Sequence, residues 1–237
     1  MEIYEEDDLI KFLTLLCEHA KIKYPLFFLL AFSTGLRRGE ILGLRRQDID
    51  MEKCILRVNQ SAIVVKKIGV KYKDPKTDKS AAGVSFSKSI LPILKLRLEE
   101  QDRMKEIAGD KWNETDLLFT TVVGKSMFPS TINHWLIKFL EKHKLGHISP
   151  HSFRHMSVTY AIDRGFDLKA VSERARHAQV STTADIYAHV LPQKDQAIAA
   201  SLDEIIVQSQ NTTEEKPILK VKRRYVLRRL LPKLFPN

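Results

Sequence analysis

Residues 54–86 read CILRVNQSAIVVKKIGVKYKDPKTDKSAAGVSF, and their texture decides the fold class. Four short runs, CILRV, SAIVV, GVKY and AGVSF, are separated by polar or glycine-containing turns, which is the pattern of a small antiparallel sheet. The stretch KDPKTDKSAA is too rich in charge and turn formers to be core, so it is expected to project. On both sides the apolar spacing changes to that of helices. Upstream, EIYEEDDLIKFLTLLCEHAK places acids ahead of Leu9, Phe12, Leu13 and Leu16, as at the start of an amphipathic helix whose first turn favours negative charge. A second helix is expected from about Pro25. Ser33, Thr34 and Gly35 then end one helix and begin another, with Arg37 in the new first turn. Downstream, helices are expected over 89–107, 130–142, 150–164, 167–175, 181–190 and 195–206. The chain therefore reads as mainly α with a small antiparallel β-sheet, an α+β fold.

With 237 residues, 43% of them hydrophobic, the chain can bury one substantial core, so one main domain is expected. The longest apolar run, 25–32, is far shorter than the roughly 20 residues of a membrane span. No cleavable signal is read at the start, and the expected location is the cytoplasm. Cys17 and Cys54 lack the clustered spacing of a metal site or disulfide framework and read as reduced core residues. The net charge of +10 is uneven: eight basic and no acidic residues lie from Lys216 onward, leaving 31 basic against 29 acidic before it. Residues 208–217, QSQNTTEEKP, read as a linker to that basic tail. The expected division is a main domain over 1–207 and a linker with basic tail over 208–237. Composition alone supports a tail that binds DNA, RNA, anionic lipid or an acidic partner, and does not indicate an enzyme.

Six residues carry possible chemistry: Arg37, Lys76, His151, Arg154, His177 and Tyr187. His151 and Arg154 are three apart, so a helix sets both on one face. Ser181, Thr182 and Thr183 are good helix-capping residues and would fix a helix start shortly before Tyr187. Singly, each of the six has an ordinary structural explanation; their order and surroundings are more informative.

TGLRRGEILGL (34–44), KTDKS (76–80), HSFRHMSVTYAIDRG (151–165) and ERARHAQVSTTADIYAHV (173–190) resemble, in order, the catalytic segments of the tyrosine recombinases, the integrases of phages and conjugative transposons. The opening EIYEEDDLIKFL is similar to the start of that catalytic domain, and the resemblance covers roughly 1–195. It implies catalytic roles for Arg37, Lys76, His151, Arg154 and His177, with Tyr187 as nucleophile. Two departures stand out. Arg176 occupies a position where the family usually has glycine, so a different turn before His177 is expected. AAGVSF lacks the arginine and proline usual after the lysine, which leaves Lys79 as the alternative to Lys76.

These residue types suit transesterification at a phosphodiester. The charge that concentrates on phosphate during attack needs fixed cations, and the planar forks of Arg37 and Arg154 can hold nonbridging oxygens bidentately. Glu40, three residues after Arg37, is placed to orient it or to form a simple helix-surface pair. Ionising Tyr187 at neutral pH from a reference pKa near 10 costs about 4 kcal/mol. His151 is the candidate to take its proton, His177 to hydrogen-bond a phosphate oxygen, and Lys76 to protonate the departing 5′ oxygen. The implied function is site-specific DNA recombination through a 3′-phosphotyrosine, needing no metal, ATP or other cofactor, on double-stranded DNA and by a homo-oligomer, a tetramer on paired sites. Alternatives are a type IB topoisomerase-like enzyme and a catalytically silent DNA-binding module.

Overall fold

The computed structural model describes residues 3–74, 83–177 and 179–187, with Tyr187 described only by its place in a helix. The chain divides into two units, 1–187 and 188–237, and every described residue lies in the first. Lys76 and Lys79, the helix expected over 195–206, the linker and the basic tail lie outside the described residues.

Eight helices and five short strands are described: α1 Glu6–His19, α2 Lys23–Thr34, α3 Arg38–Leu42, β1 Ile49–Asp50, β2 Ile55–Leu56, β3 Ser61–Val65, β4 Gly69–Lys73, β5 Val84–Ser85, α4 Leu91–Ala108, α5 Pro129–His143, α6 Pro150–Asp163, α7 Leu168–Arg174 and α8 Val180–Tyr187. Among the described residues no helix is long and apolar enough to cross a membrane. The acids at 6–8 occupy the first turn of α1, whose Leu9, Phe12 and Leu16 are buried. α2 is different: Tyr24, Leu26, Phe27, Phe28, Leu30 and Ala31 bury it on all sides, making it the central helix. Phe12, Phe28, Phe139 and Phe153 bring α1, α2, α5 and α6 together, with ring centroids 4.8 to 5.9 Å apart. Truncating such a buried ring costs about 3–5 kcal/mol. Phe153 precedes Arg154, so this core also fixes the start of α6.

The strand-rich stretch forms two sheets instead of one. β1, β2 and β5 make an antiparallel sheet in the order β1-β2-β5, and β3–β4 is a separate hairpin pairing Ser61 with Lys73 through Val65 with Gly69. The separation has a local cause. Residues 57–60 spend their polar groups on neighbours outside any strand: the Arg57 N–H donates to the Asp48 carbonyl (2.8 Å), Asn59 to the Asp48 carboxylate (2.7 Å) and Gln60 to the Gly43 carbonyl (2.8 Å). The short helix α3 lies directly on β3. A Cβ at Gly39 would come within 2.6 Å of the Ala62 carbonyl oxygen, and one at Gly43 within 2.6 Å of that of Gln60. Only glycine permits this approach.

Two further differences concern single residues. Cys54 is buried, but Cys17 lies on the exposed side of α1, because the apolar stripe of that helix runs through positions 9, 12 and 16. Arg97, mid-α4, is fully buried, which helical spacing alone does not reveal. It donates to the Leu118 carbonyl (3.1 Å), Glu100 (2.7 Å) and the Thr120 hydroxyl (3.3 Å), anchoring the irregular segment after α4.

Candidate active site

α2 ends at Gly35, whose left-handed backbone (φ +69°) turns the chain into α3. Arg37 is the residue before α3. Its N–H donates to Glu40 Oε2 (2.8 Å) and its Nη1 to Oε1 (3.2 Å), so one carboxylate caps the helix and aims the guanidinium. The Glu40 side chain is 10% exposed against 48% for Arg37, which makes this a buried carboxylate holding a solvent-facing arginine, not a loose surface pair.

α6 is capped by Ser149, whose hydroxyl accepts from the Ser152 N–H. Its first turns carry His151, Arg154 and His155. Arg154 is 2% exposed and donates through Nη1 to the Gly35 carbonyl, while its buried Nη2 has no partner among the described residues. An unmatched buried donor of this kind costs about 1–3 kcal/mol, more when charged. His151 is only partly exposed and meets His155 edge to face at 4.5 Å. Sequence reasoning passed over His155, although its four-residue spacing from His151 would have placed both on one helix face.

The third element is the end of α7. Arg174 donates to the carbonyls of Ser33 (2.7 Å) and Ser85 (2.8 Å), tying α7 to the end of α2 and to β5. The helix then closes with two bonds: the His177 N–H to the Ser172 carbonyl and the Arg176 N–H to that of Glu173. This is a Schellman termination, in which the residue at position 176 must be left-handed, and Arg176 is, with φ +58°. The turn expected to differ because arginine replaces glycine therefore keeps the glycine geometry, at a cost of roughly 1–2 kcal/mol. It presents the Arg176 carbonyl to Arg37 Nη2 at 3.3 Å.

His177 Nδ1 lies 2.7 Å from the hydroxyl of Thr183, which is fully buried in α8. Here the structure revises a local reading: α8 begins at Val180, so Ser181, Thr182 and Thr183 lie inside it, and Thr183 serves His177 instead of capping the helix. Ile186 packs onto a small core with Val158, Val171 and Ala175, which holds α8 against α6 and α7. Tyr187 is the last residue of that helix, one turn beyond Thr183.

The electrostatics join these pieces. Burial, then Arg154, Arg37 and Arg38, lowers the pKa of His151 below the usual histidine value. His177 is pushed down to about 4 by burial and by Arg154, Arg37, His155 and His151. His155 is pushed to about 4 by burial, His151 and Arg154. Arg154 falls to about 10 through burial and the Arg37 charge, opposed by Glu40. Arg37, His151, Arg154 and His177 thus share one positively biased locality, in which the imidazoles are neutral at pH 7 and Arg154 is charged. A separate polar cavity of about 330 Å³, lined by Arg46, Asp102, Lys105 and Glu114 among others, pairs those four charges internally.

The model of the phage integrase family matches residues 2–194, a span holding every one of these segments. The chain belongs to the phage integrase family. Similar members include a XerC-like tyrosine recombinase of Caldanaerobacter subterraneus subsp. tengcongensis, 34% identical over 87% of this chain. The ICEBs1 integrase of Bacillus subtilis is 30% identical, also over 87% of this chain. The chain spans 55% of the length of each. Among solved structures, the Tn1549 transposon integrase in complex with circular intermediate DNA superposes with a TM-score of 0.72 at 18% identity, over 86% of this chain and 67% of that one. That likeness concerns the fold alone, mainly helical with small antiparallel sheets.

Proposed function

We propose that this phage integrase family member is a site-specific recombinase that cleaves and rejoins DNA through a 3′-phosphotyrosine at Tyr187. The observation that carries the reading is the buried Nη2 of Arg154, without a partner among the described residues, beside Arg37 and the neutral histidines, a donor set suited to an anion. A phosphodiester supplies it. Arg37 and Arg154 hold the nonbridging oxygens and offset the charge that builds up on attack. The Tyr187 oxygen bonds to phosphorus as the bond to the 5′ oxygen breaks. His151, neutral because burial and three arginines disfavour its proton, is ready to take the tyrosine proton. The Thr183 hydroxyl donates to Nδ1 of His177, which leaves the ring proton on Nε2 to donate to a phosphate oxygen. Lys76, with Lys79 as the alternative, delivers a proton to the 5′ oxygen. The phosphotyrosine conserves the bond energy, so another strand's 5′ hydroxyl reverses the step without ATP.

In this reading the catalytic unit extends to about residue 207, the basic tail from Lys216 adds phosphate contacts, and four copies act on paired sites in the cytoplasm. The test is a nicked duplex that traps cleavage, mixed with the full chain in EDTA. A denaturation-resistant protein–DNA adduct, absent in Tyr187→Phe, is expected. An adduct that persists in Tyr187→Phe, or none even when the DNA is tethered to the protein, overturns the proposal.

A further inference from the structure

Arg176 has no assigned role in the reaction described above, and its placement asks for one. It sits in a left-handed backbone position where glycine would be at ease. Its side chain is half-buried, and its Nη1 is shut off from solvent with no hydrogen-bond partner among the described residues. Among the described residues, the groups that act on its charge are Glu40, which favours it, and Arg37, which opposes it; Arg176 in turn acts on Arg154. Glu40 already gives both carboxylate oxygens to Arg37. Two buried guanidinium nitrogens, Arg154 Nη2 and Arg176 Nη1, therefore share one locality and have no acceptor among the described residues.

Packing three guanidinium groups around one committed carboxylate is unfavourable unless an anion completes the set. Resting on the reading of this site as one for DNA phosphate, we infer that Arg176 is a third phosphate-binding arginine, its Nη1 donating to a phosphate oxygen of the cleaved strand. Its two parts do different work. The carbonyl holds Arg37 and survives any substitution, whereas the guanidinium meets the DNA.

That division makes a clean test possible. Arg176→Gly keeps the carbonyl and suits the left-handed backbone, so it removes the guanidinium without disturbing the turn. Arg176→Lys keeps the charge. Binding of the full chain and both variants to a duplex is measured between 50 and 300 mM KCl. The expected result for Arg176→Gly is a fall of about 0.9 in the slope of log K against log salt, the signature of one lost phosphate contact. Arg176→Lys is expected to restore the slope. An Arg176→Gly slope equal to that of the unmodified protein overturns the inference. Adduct formation on the nicked duplex, run in parallel, is expected to slow at least tenfold in Arg176→Gly. Failure of the unmodified protein to form adduct counts against the recombinase reading and leaves the slope comparison to decide the role of Arg176.

Discussion

Replacing Gly39 with alanine should destabilise the protein, against the sign that helix propensity alone predicts. Gly39 is the second residue of α3, and in a helix alanine is favoured over glycine by up to about 1 kcal/mol. Its added Cβ would lie 2.6 Å from the Ala62 carbonyl oxygen and 2.7 Å from Ser61 Oγ. The serine hydroxyl can rotate away. The carbonyl cannot, because it belongs to β3, which pairs with β4 across the whole hairpin. Relief requires α3 to lift from β3, and overpacking of this kind costs typically 1–3 kcal/mol. With the backbone as the obstacle, the upper half of that range applies, for a net loss of about 1–2 kcal/mol. Urea unfolding measures it as a lower midpoint at unchanged slope. Since Arg37 rides on the same short helix, adduct formation should also slow. Stability equal to or above that of the unmodified protein would refute the close approach of α3 to β3, and with it the account of how Arg37 is placed.

Two other outcomes follow from the histidines. Thr183→Val removes the hydroxyl that fixes the His177 ring, and losing one hydrogen bond worth about 0.5–1.5 kcal/mol should slow adduct formation roughly threefold to tenfold, while Thr183→Ser stays near the unmodified rate. No difference between the two variants would disprove the positioning role of Thr183. Stability should fall as pH drops from about 6.5 to 4, because in this interval the unfolded chain binds protons at His155 and His177 that the folded site, with both pKa values near 4, refuses. Unfolding free energies that hold constant or rise over that range, in urea titrations at successive pH values, would contradict the depressed values.

Most of the helical architecture was legible because its signals are local. The acids and apolar stripe of α1, the prolines in the first turns of α4 and α5, and Gly35 after α2 each act within a turn or two. The division of the strand-rich stretch into two sheets was not, since it depends on Asn59 and Gln60 finding Asp48 and Gly43 across a turn. The candidate site shows the same contrast. His151 and Arg154 share a face by spacing alone, but Arg174 reaching Ser33, Arg176 meeting Arg37 and Thr183 meeting His177 are contacts between segments that only the fold brings together.

Local and tertiary contacts together explain how a site so rich in positive charge is held. Glu40 compensates Arg37 directly, and the Gly35 carbonyl takes one arm of Arg154. The histidines avoid adding to the repulsion by remaining neutral. Around the arginines, what is left unmatched among the described residues is confined to a few nitrogens, and the core of Phe12, Phe28, Phe139 and Phe153 supports the helix that bears Arg154. An arriving phosphate would meet donors already in place, and its charge would raise the affinity of His151 for a proton at the moment a base is needed. The same burial that makes unmatched donors costly would strengthen their hold on a phosphodiester.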